Sequence, residues 1–198
     1  MKIYPRLVMS KVFISHRVMT LKDKIRKVLQ FGKSLVGIKY RWWKGENNKT
    51  DFENMFYCNN LPSLSQLKKD GINCSGLINL MRLKVGLKIP ESSSKYRGGT
   101  DFWYKYFRRN KSLKPFDYTK DYPLGTMFLR KYHSLKDQGH VAVLYQKDSK
   151  NPKKLLYGKI IHAYAFGEIE DELKGKPVGE VGITTLGYSH FYYTGKDE

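Results

Sequence analysis

The chain has 198 residues, 40% hydrophobic and 14% aromatic, and carries 37 Lys and Arg against 18 Asp and Glu, a formal net charge of +19. This length and apolar content are enough for one folded domain and argue against a disordered chain. The charge attracts polyanions such as nucleic acid, anionic cell wall or lipid headgroups, but no nucleic-acid reader motif accompanies it. A nonspecifically basic surface is therefore favoured over a dedicated nucleic-acid site.

Residues 1–22 are predicted to form a basic segment that is peripheral to the domain. The segment has no acidic residue before Asp23 and lacks the continuous apolar core of a secretory signal. Its composition fits an organellar transit peptide or an ordinary leading helix or strand, and a cytoplasmic or a virion-associated location stays open. No apolar run approaches the roughly 18 to 20 residues that cross a bilayer, so we expect a soluble or surface-bound protein.

Helical periodicity dominates the first half of the chain, and short β-type runs follow in the second half. A polar insertion at about 44–71 separates the first helix from the third, and Thr100 is the predicted N-cap of the fourth. Helices followed by strands predict an α+β domain over 23–198, with an antiparallel sheet. The predicted helices cover about 21–35, 64–69, 74–85 and 100–107, and the predicted strands cover 126–130, 140–145, 155–164, 181–185 and 191–193.

Cys74 lies where a polar loop turns into a helix. Asn73 is a favoured N-cap residue, and the apolar residues Leu77, Met81 and Val85 then recur at one-turn spacing. At the start of a helix, unpaired backbone N–H groups and the positive end of the dipole favour a thiolate over a thiol. The sequence therefore predicts that Cys74 is a nucleophile at neutral pH.

The other cysteine, Cys58, lies in a polar, Asn-rich stretch. Two cysteines exclude a disulfide-built scaffold, and a single bridge between them is possible but not expected. No CxxC pair or His/Cys cluster has metal-ligand spacing, so neither a metal ion nor a cofactor is predicted.

Histidines supply the candidate bases for Cys74. His140 opens a predicted strand, and His162 lies inside an apolar one. Thiol chemistry needs a base within hydrogen-bond reach and a third polar group that holds the other ring nitrogen of the base. Cys74, His140 and His162 fill these roles if the helix packs across the two strands. The remaining histidines lie in the N-terminal segment, in a charged loop and near the C-terminus: His16, His133 and His190.

Five motifs, in this order along the chain, resemble those of the NlpC/P60 family of papain-like cysteine peptidases. They match a helix ending in a Tyr-x-Trp pattern, the Cys-Ser-Gly nucleophile motif, a strand entry, the Gly-His-Val strand and the strand of the third catalytic residue. The matching segments are 35–42, 74–77, 123–128, 139–143 and 161–163.

The resemblance implies a papain-like fold in which the cysteine helix packs on an antiparallel sheet that carries the histidines. It implies cleavage of a peptide or isopeptide bond, in this family typically in the stem peptides of peptidoglycan. Cys74 would attack the carbonyl, His140 would hold the thiolate and protonate the leaving amine, and His162 would orient His140. Tyr40 and the backbone N–H of Cys74 would form the oxyanion hole.

Three features depart from the family pattern. Asn73 replaces an aspartate that, together with the serine at the Ser75 position, helps to hold the free amine of a cell-wall substrate. Thr126 replaces the aspartate of the strand entry, and the 44–71 insertion lengthens the connection between Tyr40 and Cys74. The substrate is therefore predicted less narrowly than the catalytic residues.

Two other functions remain as alternatives. The first is an acyltransferase or thioesterase on the same fold, which needs an apolar groove that the aromatic residues of 102–107 would line. The second is a non-catalytic binding protein that contacts nucleic acid or another polyanion through its positive charge.

Overall fold

The computed structural model describes residues 19–45, 57, 60–90 and 98–188, and within these ranges the chain folds as α+β, as the sequence predicted. Thr20 caps the first helix through its side chain, which accepts from the N–H of Asp23. Asn73 caps the third helix in the same way, accepting from Gly76 at 2.7 Å. The helices are α1 (Leu21–Ser34), α2 (Leu64–Asp70), α3 (Cys74–Lys84), α4 (Thr100–Arg109) and α5 (Ile169–Leu173).

Four antiparallel strands form a sheet in the order β1-β2-β3-β4, so each strand pairs with its neighbour along the chain. Ladder positions such as Arg130↔His140 and His162↔Gly182 fix which side chains face one another across the sheet. The strands are β1 (Met127–Arg130), β2 (His140–Gln146), β3 (Lys159–Ala165) and β4 (Gly179–Thr185).

The segment after α1 extends this sheet beyond β4. The N–H of Tyr40 donates to the carbonyl of Gly179 at 2.7 Å, and the N–H of Ile72 donates to the carbonyl of Lys39 at 3.0 Å. Tyr40 thus lies between β4 on one side and Ile72 on the other, two residues before Cys74.

Apolar side chains cover both faces of the sheet. Val141 and Val143 of β2 and Ile161 of β3 belong to the main core, which the helices complete with residues such as Leu77 and Met81 of α3. The alternate strand residues belong to a second cluster that the 3₁₀ turns Leu155–Tyr157 and Leu186–Tyr188 help to close: Phe128, Ala142, Leu144, Leu155, Ile160 and Leu186. Burial of both faces explains why β2 and β3 read as nearly continuous apolar runs.

Several predicted boundaries need correction. Thr100 is not an N-cap: Gly99 holds that position, and the Thr100 hydroxyl donates instead to the carbonyl of Gln138 at 2.6 Å. The predicted strand over 155–164 begins only at Lys159, because 155–157 form a 3₁₀ turn that Gly158 ends. Helix α5 was not predicted; its Glu168 and Asp171 side chains form a capping box.

Some predictions lie outside the described residues. These are the N-terminal segment through residue 18, the strand at 191–193, and residues 46–56 and 58–59 of the insertion. The helix predicted inside the insertion is present as α2. Across the described ranges, no helix has the length and apolar character that crossing a membrane requires.

Candidate active site

Cys74 is the first residue of α3, and this helix contacts both β2 and β3. The packing arrangement on which the sequence hypothesis depended is therefore present. Cys74, His140 and His162 are 4%, 6% and 3% exposed, so the three side chains lie in the protein interior. In the described part of the chain, Cys74 is a free cysteine; Cys58 lies outside that part.

The sulfur of Cys74 lies where the β2–β3 ladder ends. That ladder runs from Gln146↔Lys159 to Val143↔Ile161, which leaves His140 and Val141 beyond its last pair. The backbone N–H of Val141 lies close enough to the Cys74 sulfur to lower the pKa of the thiol. Val141 is the chain neighbour of His140, so the thiol lies at the end of β2 where His140 begins the strand.

The imidazole rings of His140 and His162 form a hydrogen-bonded pair. Nε2 of His140 lies 2.8 Å from Nδ1 of His162, and the ring planes meet at 73°. On the far side, Nε2 of His162 lies 2.8 Å from Oγ1 of Thr184. The two histidines and the threonine thus form a polar chain that crosses from β2 through β3 to β4.

Gly139 determines how the chain enters β2. Its φ is +70°, which favours glycine, and a Cβ at this position would lie 2.5 Å from the carbonyl oxygen of Arg130. The Gly-His pair of the sequence motif therefore has a steric reason, since only glycine permits the close approach that places His140.

Tyr40 lies close enough to Cys74 for the charge of Cys74 to act on the Tyr40 phenol. Burial raises the pKa of the Tyr40 phenol well above its ordinary value, and the nearby Cys74 and Glu172 raise it further. The phenol is therefore held as a neutral hydroxyl. A neutral hydroxyl can donate to a negatively charged oxygen, as the predicted oxyanion role requires.

The pKa of Cys74 differs from the prediction. Burial raises the pKa of the thiol above its ordinary value of 9.0, although Val141, Ser75 and the charge of Arg130 act in the opposite direction. The prediction that the helix N-terminus favours a thiolate at Cys74 does not agree with this direction, because it ignored the loss of solvent around a sulfur inside the protein. A thiolate here requires a neighbouring positive charge.

Arg130 is a charged neighbour that the sequence reasoning did not identify. Its charge acts on both Cys74 and Tyr40, and its guanidinium donates to the Asp137 carboxylate in an ion pair. No motif marks an arginine at the end of a strand as part of a site. Only the register that pairs Arg130 with His140 brings it there.

The predicted substrate-binding residues Asn73 and Ser75 are both buried beside Cys74. Oδ1 of Asn73 caps α3, and the Ser75 hydroxyl lies 4.0 Å from the Cys74 sulfur. Among the described residues, no three His, Cys, Asp or Glu side chains converge as metal ligands would.

The aromatic residues suggested for an apolar groove lie mainly in the core. Phe102 and Trp103 are buried, and Nε1 of Trp103 donates to Oδ1 of Asn79 at 3.0 Å. Tyr106 and Phe107 pack against the same rings and are only partly buried.

Comparisons of the chain with protein-family models, with curated proteins and with solved structures find no match.

Proposed function

We propose that the protein is a cysteine-dependent amidohydrolase or peptidase with Cys74 as the nucleophile. The observation that carries the proposal is the 2.8 Å contact between Nε2 of His140 and Nδ1 of His162, on two strands that the cysteine helix contacts. With Nε2 directed at His162, Nδ1 of His140 is the nitrogen that takes the thiol proton. This order of nucleophile, base and orienting group is the one that nucleophilic catalysis requires.

The reaction begins when the proton of Cys74 moves to His140, which forms a thiolate and an imidazolium. The sulfur attacks the carbonyl carbon of the substrate, and the oxyanion that develops is stabilised by the Cys74 N–H and the neutral hydroxyl of Tyr40. His140 then protonates the leaving amine. Water attacks the resulting thioester while His140 takes up its proton, which releases the acid and restores the thiol.

The imidazolium is what makes the raised pKa of Cys74 compatible with catalysis. A buried thiol does not ionise alone near neutral pH, but a proton transfer that creates an adjacent positive charge compensates for the lost solvent. Val141 N–H and Arg130 stabilise the same negative charge. Cys74 and His140 therefore act as a coupled pair.

The finer fold assignment forms part of the proposal. A cysteine helix packed on an antiparallel sheet that carries two histidines agrees with the papain-like NlpC/P60 arrangement that the motifs suggested. The substrate that follows is a peptide or isopeptide, with cell-wall stem peptides as the first class to test. Asn73 is uncharged and its Oδ1 caps α3, so a free substrate amine is held less strongly than an aspartate would hold it.

The test is alkylation of Cys74 followed by a substrate panel. In a Cys58→Ser background, iodoacetamide at neutral pH should label Cys74 faster than a thiol of the denatured chain. His140→Ala should slow this labelling, and Cys74→Ser should abolish both labelling and hydrolysis. Labelling of Cys74 no faster than that of the denatured control contradicts an activated nucleophile.

The substrate panel also separates the alternatives. Muropeptides and other peptides test the proposed reaction, whereas acyl thioesters test an acyltransferase or thioesterase. Turnover of thioesters alone would replace the proposal by that alternative. Nucleic-acid binding that falls steeply with salt, together with no Cys74-dependent turnover, would favour the non-catalytic polyanion-binding protein.

A further inference from the structure

The Thr184 hydroxyl lies at the end of the histidine chain, 2.8 Å from Nε2 of His162. We propose that Thr184 is a positioning residue that accepts the Nε2–H of His162 and thereby fixes the tautomer that His140 needs. This inference rests on the proposed function, since it concerns the base of the same reaction. Thr184 touches neither Cys74 nor the substrate, and it acts through His162.

The argument follows from the direction of the hydrogen bonds. For Nδ1 of His140 to accept the thiol proton, Nε2 of His140 must carry hydrogen and donate it to Nδ1 of His162. A neutral imidazole has one donor and one acceptor nitrogen, so His162 must then carry its hydrogen on Nε2. The Thr184 hydroxyl lies 2.8 Å from Nε2, and by accepting that hydrogen it stabilises this tautomer.

The reverse direction would block the reaction. If Nδ1 of His162 carried the hydrogen and donated it to Nε2 of His140, the neutral ring of His140 would carry its own hydrogen on Nδ1. That nitrogen would then be unable to take the proton of Cys74. The tautomer of His162 therefore decides whether His140 is a base toward the sulfur.

The surrounding sheet holds His162 and Thr184 in register. The β3–β4 ladder is continuous from Lys159↔Thr185 to Ala165↔Gly179 and pairs Ile160 with Thr184 and His162 with Gly182. The Tyr164 ring lies 5.1 Å from the ring of His162. A Cβ on Gly182 would lie 2.5 Å from the Tyr164 ring. The absence of a side chain at Gly182 thus leaves room for the ring beside His162.

The experiment measures the tautomer directly. Long-range ¹H–¹⁵N spectra of ¹⁵N-histidine-labelled protein should show His162 protonated at Nε2 in the wild type and in Thr184→Ser. Thr184→Val, which keeps the shape but removes the oxygen, should lose this pattern. Thr185→Val is the matched control, because the adjacent side chain of β4 projects from the opposite face and should leave the pattern unchanged.

Reactivity provides the second measurement. Thr184→Val should lower the rate of Cys74 alkylation and of hydrolysis by about tenfold to a hundredfold, the range typical of outer hydrogen-bond partners, and should change the pH profile. Thr184→Ser should restore both. If Thr184→Val does not fold, Thr184→Ala removes the same oxygen without adding a methyl group and takes its place.

The outcomes are distinct. An unchanged His162 tautomer and pH profile in Thr184→Val overturns the inference, and so does a Thr184→Ser variant as impaired as Thr184→Val. Because the tautomer is measured without substrate, loss of the Nε2–H pattern supports the inference even if no peptide is cleaved. Absence of Cys74-dependent turnover of any amide in the wild type counts against the proposed function alone.

Discussion

The Nε2 atom of His140 lies 2.8 Å from the Nδ1 atom of His162, although 22 positions separate the two residues in the chain. The contact joins the first residue of β2 to the middle of β3, beyond the point where the β2–β3 ladder ends. At this end of the ladder the Val141 N–H, the chain neighbour of His140, acts on the Cys74 thiol and favours its charged form. The candidate residues therefore lie around the end of this ladder.

We expect His140→Ala to change the pH dependence of Cys74 alkylation. Without the imidazole, burial keeps the Cys74 thiol protonated through neutral pH, because its pKa is raised above 9.0. Labelling of the variant at pH 7 should fall by at least about tenfold and then rise as the pH passes 9. Alkylation rates of Cys74 measured from pH 5 to 10 check this prediction, and His133→Ala is a control at a histidine outside the site. Identical pH profiles for the wild type and His140→Ala would contradict it.

We expect Asn73→Ala to destabilise the protein and Asn73→Asp to leave its stability nearly unchanged. Asn73 Oδ1 caps α3 at 2.7 Å, and loss of an N-cap costs about 1 kcal/mol, whereas aspartate caps equally well. The added negative charge should, however, raise the pKa of Cys74 further and slow its alkylation. Chemical unfolding and alkylation rates separate the two effects; faster alkylation of Asn73→Asp would show that the carboxylate acts on another group.

We expect Gly139→Ala to destabilise the protein by about 2 kcal/mol or more. The residue has φ +70°, and the new Cβ would meet the Arg130 carbonyl oxygen at 2.5 Å. Gly86→Ala is a matched control, because Gly86 also has a positive φ of 73° but its Cβ would meet no atom within 4 Å. The free energy of unfolding should therefore fall more in Gly139→Ala than in Gly86→Ala. Equal losses of stability would show that the contact with the Arg130 carbonyl oxygen does not matter.

We expect Tyr57→Phe to reduce the alkaline loss of stability. Burial raises the pKa of Tyr57 to about 12, and its hydroxyl donates to the carbonyl of Gly71 at 3.0 Å. A folded-state pKa above the ordinary 10.0 contributes stability below pH 10, and this contribution is lost as the pH rises through about 12. At pH 7 the variant should be less stable by about 1 kcal/mol.

Above pH 10 the difference between Tyr57→Phe and the wild type should narrow, because phenylalanine does not ionise. Urea unfolding at pH 7, 9 and 11 measures this difference. Tyr157→Phe serves as a control, since Tyr157 is 54% exposed. A difference between Tyr57→Phe and the wild type that stays constant from pH 7 to 11 would show that Tyr57 does not titrate in this range.

Local chemistry in the sequence was sufficient to predict α3 from its Asn73 cap, because an N-cap acts within its own first turn, and to predict α1 from its apolar periodicity. It also predicted most strands, since both faces of β2 and β3 are apolar. The predictions failed where distant contacts decide the outcome. Thr100 donates to Gln138 instead of capping α4, and residues 155–157 form a 3₁₀ turn within an apolar run.

The sequence by itself determined the secondary-structure class and which residue types are candidates for thiol chemistry, because helix caps and apolar periodicity act over a few residues. Only the tertiary structure decided that burial raises the pKa of Cys74, and that Arg130 and Thr184 lie near the candidate residues. The physical reason is that desolvation and side-chain hydrogen bonds depend on which segments meet in space. Strand register and the end of the β2–β3 ladder determine which side chains of different segments are in contact. No local sequence pattern encodes these contacts.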